Sequence, residues 1–302
     1  MKIISFSIPE NKKISPLDMF GHKIQEIVMP IVAIEGEKII ILGTGFVINP
    51  DGIIITAKHV ISDYLSSNNQ DIKKEIKKEF SIFALYISKK KHGPENQLYS
   101  GGFLPLKIAW YTEQLDITFC WLQRPIINGF PLNLSTIALS PGIPKVGEKL
   151  LAFGYYKSTA IFYKEKFRID FSQETGLTHG AIIEVHNDYR DRSFLSFPCF
   201  QTDALFKSGM SGGPVFNEKG AVCGVICSSI ETEEDENCIS YASLVWPSLA
   251  TPITVNFKTG NSLQKIRIYE LIEKGLIPVD ETFSKVGLDT SDKKITKVLF
   301  HQ

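Results

Sequence analysis

Short runs of apolar, often β-branched residues separated by turn residues fill the first part of the sequence. Four such runs, at residues 27–29, 31–33, 39–42 and 44–48, precede a turn at residues 49–52 that contains Asn, Pro, Asp and Gly. β-branched residues are typical of strands, and clusters of Gly, Pro, Asn and Asp are typical of the turns that join strands. Many short strands in succession predict an antiparallel β-sandwich or β-barrel.

Length and composition limit the classes of protein to consider. A chain of 302 residues is long enough for one large domain or two smaller ones. Its 33 basic and 33 acidic side chains give a formal net charge of zero, which offers no electrostatic reason to bind nucleic acid or an anionic membrane. No stretch reaches the roughly 18 apolar residues of a membrane span, and the first ten residues are too short for the apolar part of a signal peptide.

The cysteine pattern favours neither a metal site nor a disulfide framework. The five cysteines form no CxxC pair, and both zinc sites and disulfide frameworks usually show an even, paired arrangement. This pattern predicts that the chain binds no metal and works in a reducing, cytoplasmic setting. The residues concerned are Cys120, Cys199, Cys223, Cys227 and Cys238.

Two segments show helical patterns within this strand-rich chain. Ile72, Ile76 and Phe80 lie four residues apart among charged side chains, which predicts a short amphipathic helix inserted within residues 62–80. A polar residue before residues 262–274 and a glycine after them predict a C-terminal helix there. Residues 157–198 are rich in aromatic and charged side chains, and their secondary structure is ambiguous from the sequence.

The sequence GMSGGP at residues 209–214 is the strongest functional signal. Glycine adopts backbone angles closed to other residues and allows a second backbone to approach closely. Such a turn presents the Ser211 hydroxyl at its tip, with backbone N–H groups free to point at one place. Nucleophilic attack on a carbonyl needs that arrangement, because the developing oxyanion must meet preorganised donors.

A serine nucleophile needs a base, and the base needs an orienting group. The segment TAKHV at residues 56–60 follows an apolar run and supplies His59, and LDITF at residues 115–119 places Asp116 within an apolar stretch. The order along the chain is therefore His59, Asp116, Ser211. Each residue alone is a weak signal, but the three together predict nucleophilic catalysis.

These three segments resemble the three signatures of chymotrypsin-like (trypsin-fold) serine proteases, and are most similar to the bacterial branch that includes the high-temperature-requirement proteases. The resemblance extends over residues 43–229. It implies an all-β fold of two antiparallel six-stranded β-barrels, and endopeptidase activity on protein or peptide substrates without metal or organic cofactor. The domains expected are a leader (1–24), a first barrel carrying His and Asp (25–138), a second barrel carrying Ser (139–250) and a C-terminal extension (251–302).

The same resemblance implies roles for further residues. The backbone N–H groups of Gly209 and Ser211 would form the oxyanion hole. The floor of the substrate pocket would lie at Leu205, followed by Phe206, so no carboxylate would await Lys or Arg and cleavage after apolar or small residues is expected. The strand beside the pocket would be formed by Cys227, Ser228 and Ser229.

Activation is expected to differ from that of zymogen-type relatives. Those relatives carry an aspartate directly before the nucleophile, and it pairs with a new N-terminal amine made by proteolysis. Met210 occupies this position and has no charge, so N-terminal processing is not expected to be the switch. About 50 residues follow residue 250, which leaves no room for a further binding domain, so an adaptor or activating protein is expected to be a separate chain.

Two alternative interpretations stay open at this stage. Gly209-x-Ser211-x-Gly213 also matches the nucleophile elbow of α/β-hydrolases, with Asp280 or Asp289 as the acid and His301 as the base. In that fold a helix follows the serine, whereas residues 214–216 and 222–226 indicate strands, which favours the protease. The second alternative is a protease-fold module that binds peptides without cleaving them.

Overall fold

The computed structural model describes residues 21–36, 38–67, 81–90, 98–127, 129–163, 168–230, 239–255, 264–291 and 296–300. Within these ranges it has eighteen β-strands and two α-helices. The strands β1 to β18 are, in chain order, Val28–Glu35, Lys38–Asn49, Ile53–Thr56, Ser81–Lys90, Leu98–Tyr111, Thr118–Leu122, Ile126–Ile127, Phe130–Pro131, Lys149–Tyr163, Arg168–His186, Cys199–Thr202, Pro214–Asn217, Val222–Ile230, Ile239–Leu244, Pro252–Val255, Gln264–Arg267, Val286–Asp289 and Lys297–Phe300. The helices are α1 (Lys58–Ser67) and α2 (Ile268–Glu273), and 3₁₀ turns lie at Gly21–Glu26, Trp246–Ala250 and Glu281–Lys285.

Two closed, six-stranded antiparallel barrels contain twelve of these strands. The first has the order β1-β4-β5-β6-β3-β2 and closes through pairing of β1 with β2. The second has the order β9-β10-β11-β14-β13-β12 and closes through pairing of β9 with β12. Closure leaves no long free sheet edge. The predicted fold of two six-stranded barrels is confirmed, whereas the exact domain boundaries stay a prediction.

The buried core explains why these segments fold as barrels. Side chains alternate across a strand, so each barrel strand sends apolar residues inward. In the first barrel Phe46, Ile55 and Phe119 are fully buried, and in the second Phe200 and Ile226 belong to a separate buried cluster. The C-terminal segment packs against the first cluster through residues such as Leu249, Ile253 and Leu271.

The predicted C-terminal helix begins later than the sequence indicated. Gln264–Arg267 form β16, which pairs with β15, and only Ile268–Glu273 are helical. The strand register pairs Ile266 with Ile253, and both of these side chains are buried. The helix is capped from within, because the Glu270 carboxylate accepts a hydrogen bond from the backbone N–H of Arg267 at 2.9 Å.

The helix predicted within residues 62–80 overlaps only partly with the described residues. Helix α1 begins at Lys58, beside His59 itself, and ends at Ser67, while the predicted amphipathic segment with Ile72, Ile76 and Phe80 lies outside the described residues. The ambiguous stretch after residue 157 belongs largely to the long antiparallel pair of β9 and β10. Among the residues that the structure describes, no helix is long and apolar enough to cross a membrane.

Candidate active site

His59 lies where a buried strand gives way to a helix. All four residues of β3 are buried, Ala57 follows, and α1 starts at Lys58. Asp116 holds His59 at two points: its Oδ1 accepts from the His59 backbone N–H at 3.0 Å, and its Oδ2 lies 2.8 Å from the ring Nδ1. An ionised carboxylate only accepts hydrogen bonds, so this contact places the proton of a neutral imidazole on Nδ1 and leaves the Nε2 lone pair free.

The surroundings of His59 and Asp116 set the charge balance of the site. Burial lowers the pKa of His59, but the hydrogen bond and negative charge of Asp116, with a smaller contribution from Asp63, outweigh it. The net result is a His59 pKa raised above 6.5. The imidazole is partly exposed while the Asp116 carboxylate is largely buried, so the pair has one face open to a reacting group.

The turn that carries Ser211 docks on the first barrel next to His59. The Ser211 carbonyl oxygen accepts from the Thr44 backbone N–H at 2.8 Å. A methyl group added at Gly43 would lie 2.8 Å from this oxygen and 2.7 Å from the Val60 side chain, so Ser211 and the residue after His59 line the same small space. Among the hydrogen bonds of the described residues, none joins the Ser211 hydroxyl to the imidazole; such bonds are often long before substrate binds.

Two backbone N–H groups beside Ser211 are left without a protein acceptor. Within the described part of the chain, the N–H groups of Gly209 and Ser211 donate to no backbone or side-chain oxygen, whereas those of Met210, Gly212 and Gly213 do. Gly209 has a φ of +95°, a conformation in which a side chain would be strained. The turn therefore presents two free donors on either side of Met210, as an anion-binding site requires.

The comparison with known families agrees with this arrangement. Residues 43–225 match the family described as trypsin-like peptidase domain. The match covers more than half of the 302 residues and contains His59, Asp116 and Ser211. The chain belongs to the trypsin-like peptidase family. Members of such a family are hydrolases that act on peptide bonds.

Individual relatives of this trypsin-like peptidase are distant. The chain is 27% identical over 225 residues to the probable periplasmic serine endoprotease DegP-like of Pseudomonas putida strain F1, and 28% identical over 223 residues to the protein of that name from Pseudomonas savastanoi pv. phaseolicola. Each match covers 74% of this chain and 35% of the relative's length. The crystal structure of Deg5 aligns with 78% of this chain and 92% of its own, with 18% identity and a TM-score of 0.48.

The expectation of a cytoplasmic location was wrong, because these relatives are periplasmic endoproteases by name. The error came from the cysteines, whose unpaired state says little about the compartment. The thiolate is the form that oxidises, and burial raises the pKa of the Cys199 thiol to about 11 and that of Cys223 to about 12. All four cysteines in the described residues are buried and unpaired, so their pattern carries little information about the compartment.

A cleft of about 630 Å³ opens beside His59 and Asp116. The apolar part of its wall comes from Leu115, Phe194, Leu195, Phe197 and Tyr241. Both carboxylates that line it are already paired, Glu113 with Lys58 at 3.7 Å and Asp116 with His59. Lys58 and Arg190 also line the cleft, so its charged groups are of both signs.

The loop at residues 190–197 forms one side of the cleft and is built around Asp191. The Asp191 carboxylate accepts from the backbone N–H groups of Ser193 at 2.9 Å and Phe194 at 2.7 Å. The bond from Phe194 is the main cause that lowers the pKa of Asp191. The turn holds the Phe194 ring 86% exposed at the wall of the cleft.

The residues predicted to line the substrate pocket lie in different places. Leu205 is partly exposed, but Phe206 is buried in the core of the second barrel and neither lines the cleft. Cys227 and Ser228 do line it, and Ser229 belongs to β13 opposite Ser240. Phe194 and Tyr241 were not predicted as cleft residues; the DRS sequence that begins at Asp191 was the one signal for a turn of this kind.

Cys227 lies at a bulge in β13, between the positions paired with Ala242 and Tyr241. Its thiol donates to the Tyr241 carbonyl oxygen at 3.0 Å. Burial, followed by the nearby charge of Asp116, raises the pKa of this thiol. Cys227 is therefore neutral beside Asp116. Because its thiol donates to the Tyr241 carbonyl oxygen, it does not compete with His59 for the Asp116 carboxylate.

The structure does not support the α/β-hydrolase interpretation. Ser211 is followed by strand β12, which pairs with β13, where that fold requires a helix. Asp280 caps the 3₁₀ turn at Glu281–Lys285 and accepts from the Thr282 backbone N–H at 3.0 Å. His301 lies outside the described residues. Within the ranges that the structure describes, no group of three or more His, Cys, Asp or Glu side chains is arranged to hold a metal ion.

Proposed function

We propose that this trypsin-like peptidase is a serine endopeptidase in which Ser211 is the nucleophile, His59 the general base and Asp116 the group that orients it. The observation that carries the proposal is the two-point contact of Asp116 with His59, 3.0 Å to the backbone N–H and 2.8 Å to Nδ1. It holds the ring with Nε2 free, and the Ser211 turn is fastened beside it on the first barrel.

The mechanism is an acyl transfer in two halves. The Ser211 hydroxyl attacks the peptide carbonyl carbon while His59 Nε2 takes its proton; the C–N bond then breaks as His59 returns the proton to the leaving amine. Water, deprotonated by His59, hydrolyses the acyl-enzyme and regenerates the Ser211 hydroxyl. Asp116 stays ionised and stabilises the imidazolium that forms in each half. The N–H groups of Gly209 and Ser211 bind the oxyanion, and losing one such donor typically costs about 3–4 kcal/mol in the transition state.

The pH dependence of hydrolysis should report His59. Only neutral His59 accepts a proton, so we expect kcat/KM to fall as the pH drops through an apparent pKa above 6.5. Asp116→Asn removes the group that raises the His59 pKa and leaves burial, so the residual activity should fall off at a lower pH. A profile of kcat/KM between pH 5 and 9, measured on folded protein, tests this. A profile that is flat, or unmoved in Asp116→Asn, contradicts the role of His59.

The substrate class follows from the charges and apolar surfaces near the site. Leu205 leaves the predicted pocket floor without a carboxylate, and the two carboxylates in the cleft are already paired. We expect an extended peptide to place an apolar or small residue at the cleaved bond and a second apolar side chain in the cleft against Phe194. Unfolded or flexible protein segments can supply an extended peptide of this kind as substrate.

A peptide library with Ser211→Ala as the blank tests the activity and its specificity together. Cleavage is expected after apolar or small residues and poorly after Lys or Arg. Phe194→Ser should reduce the preference for an apolar residue at one neighbouring position by about tenfold, the effect of losing one apolar contact, without changing preference at the cleaved bond. Clear preference for basic residues at the cleaved bond would show that the Leu205 assignment is wrong.

The second candidate function is peptide binding by a site that is catalytically inactive until a separate protein activates it. The observation in its favour is that no hydrogen bond joins Ser211 to His59 in the described residues. If it is correct, the protein alone binds library peptides but cleaves none. Cleavage then appears when a partner or a tightly bound peptide is added.

A further inference from the structure

Met210 is buried beneath the turn that carries the free N–H groups. Only 1% of its surface is exposed, and it belongs to the core cluster of the second barrel. Its side chain lies against Gly154 on β9 and Gly176 on β10, which are register partners across these two strands. The two glycines therefore form a slot in the wall of the sheet, and Met210 fills it.

The slot exists only because both positions are glycine. A methyl group added at Gly154 would lie 2.8 Å from Met210 Cα and Cβ, and one added at Gly176 would lie 2.6 Å from Met210 Sδ. Side-chain atoms do not approach other atoms so closely without a shift. At Gly154 the obstructing atoms include the Met210 backbone, so a side chain there must displace the turn itself.

Backbone hydrogen bonds of Met210 fix the orientation of the peptide groups on either side of it. The Met210 N–H donates to the Lys207 carbonyl at 3.0 Å, and the Met210 carbonyl accepts from the Gly213 N–H at 2.9 Å. A peptide unit is planar and trans, so its N–H points opposite to its C=O. Fixing the Met210 carbonyl toward Gly213 therefore fixes the Ser211 N–H on the opposite side.

The first barrel fastens the same turn through Thr44. The Thr44 hydroxyl donates to the Gly209 carbonyl at 3.2 Å and accepts from the Tyr155 N–H at 3.0 Å. Thr44 is fully buried, so water does not compete for these bonds. The peptide before Met210 is thus held by the first barrel, while the Met210 side chain is held by the second.

We propose that Met210, Gly154 and Gly176, here called the methionine anchor, hold the oxyanion turn in its working conformation in the intact chain. These are positioning residues that act through the N–H groups of Gly209 and Ser211. The inference rests on the proposed function of Ser211, but it concerns how the site is kept formed. Because the anchor is uncharged and lies within the chain, it needs no N-terminal amine released by proteolysis.

Gly154→Ala is the sharpest test, with Gly102→Ala as the matched control. Both are glycines within strands, but a methyl group at Gly102 meets nothing within 4 Å. Gly154→Ala should lower kcat by about 10²-fold, the effect of losing an oxyanion donor, with little change in KM. Gly102→Ala should leave both constants unchanged. Thermal unfolding of each variant shows whether the barrels remain folded.

Met210→Ala and Met210→Leu provide a second test should Gly154→Ala fold poorly. Alanine empties the slot and should lower kcat strongly, whereas leucine refills much of it and should lose far less. In a Ser211→Ala background, all these variants should bind a substrate peptide with the affinity of the parent. This binding readout separates an effect on the oxyanion turn from an effect on the cleft.

The outcomes distinguish this inference from the function on which it rests. If the wild type hydrolyses peptides in a Ser211-dependent way and Gly154→Ala and Met210→Ala keep its kcat, the methionine anchor is wrong and the proposed function stands. If hydrolysis is present but appears only after an N-terminal cut, the anchor is likewise refuted. If the wild type cleaves no peptide under any condition, the proposed function itself fails.

Discussion

Replacing Asp116 by Asn is expected to lower kcat by about 10⁴-fold, or about 5 kcal/mol of transition-state stabilisation. The asparagine oxygen can still accept from the His59 backbone N–H, so the local fold is kept. Its NH₂ group, however, faces Nδ1 and favours the tautomer that carries the proton on Nε2. That tautomer has no lone pair to accept the Ser211 proton.

The matched control for this substitution is Asp289→Asn, which removes a surface carboxylate that bonds the Ser291 N–H at 2.9 Å. It should have the activity of the wild type. Steady-state hydrolysis of one peptide substrate by the three proteins measures the effect. An Asp116→Asn enzyme as active as Asp289→Asn would remove Asp116 from the mechanism, and a loss confined to Asp289→Asn would revive the α/β-hydrolase interpretation.

Replacing Ser211 by Ala is expected to have the largest effect, a loss of about 10⁶-fold in kcat. The turn should survive, because its bond from Thr44 goes to the Ser211 backbone carbonyl and not to the hydroxyl. Peptide affinity should therefore change little. Ser208→Ala is the control, since Ser208 is an exposed serine three residues earlier. Equal loss in both variants, or activity retained in Ser211→Ala, contradicts a Ser211 nucleophile.

The sequence predicted those parts of the molecule that depend on local patterns. Turn residues and short β-branched runs indicated an all-β fold, and two of the three short motifs contain His59 and Asp116, which hydrogen-bond in the structure. The two-barrel architecture came from the resemblance carried by those motifs. The local position of His59 depends on its own motif, because TAKHV includes the end of β3 and the start of α1.

Features that depend on pairing between distant segments were not predicted. Gly154 and Gly176 are 22 positions apart, and only the register of β9 and β10 brings them together under Met210. The structure places Phe206 in the core of the second barrel, a position that its apolar side chain alone did not distinguish from one in the predicted substrate pocket. Likewise, the four residues of β16 form a strand because they pair with β15. The hydrophobic pattern of one segment alone does not reveal such pairing.

Covalent labelling with a fluorophosphonate tests the central claim most directly, because only an activated serine hydroxyl reacts rapidly with such a probe. The labelled protein is digested and the modified residue is identified by mass spectrometry, for the wild type and for His59→Ala. We expect a single adduct on Ser211 that disappears in His59→Ala. An adduct on another serine, or one on Ser211 that forms equally fast without His59, would contradict it.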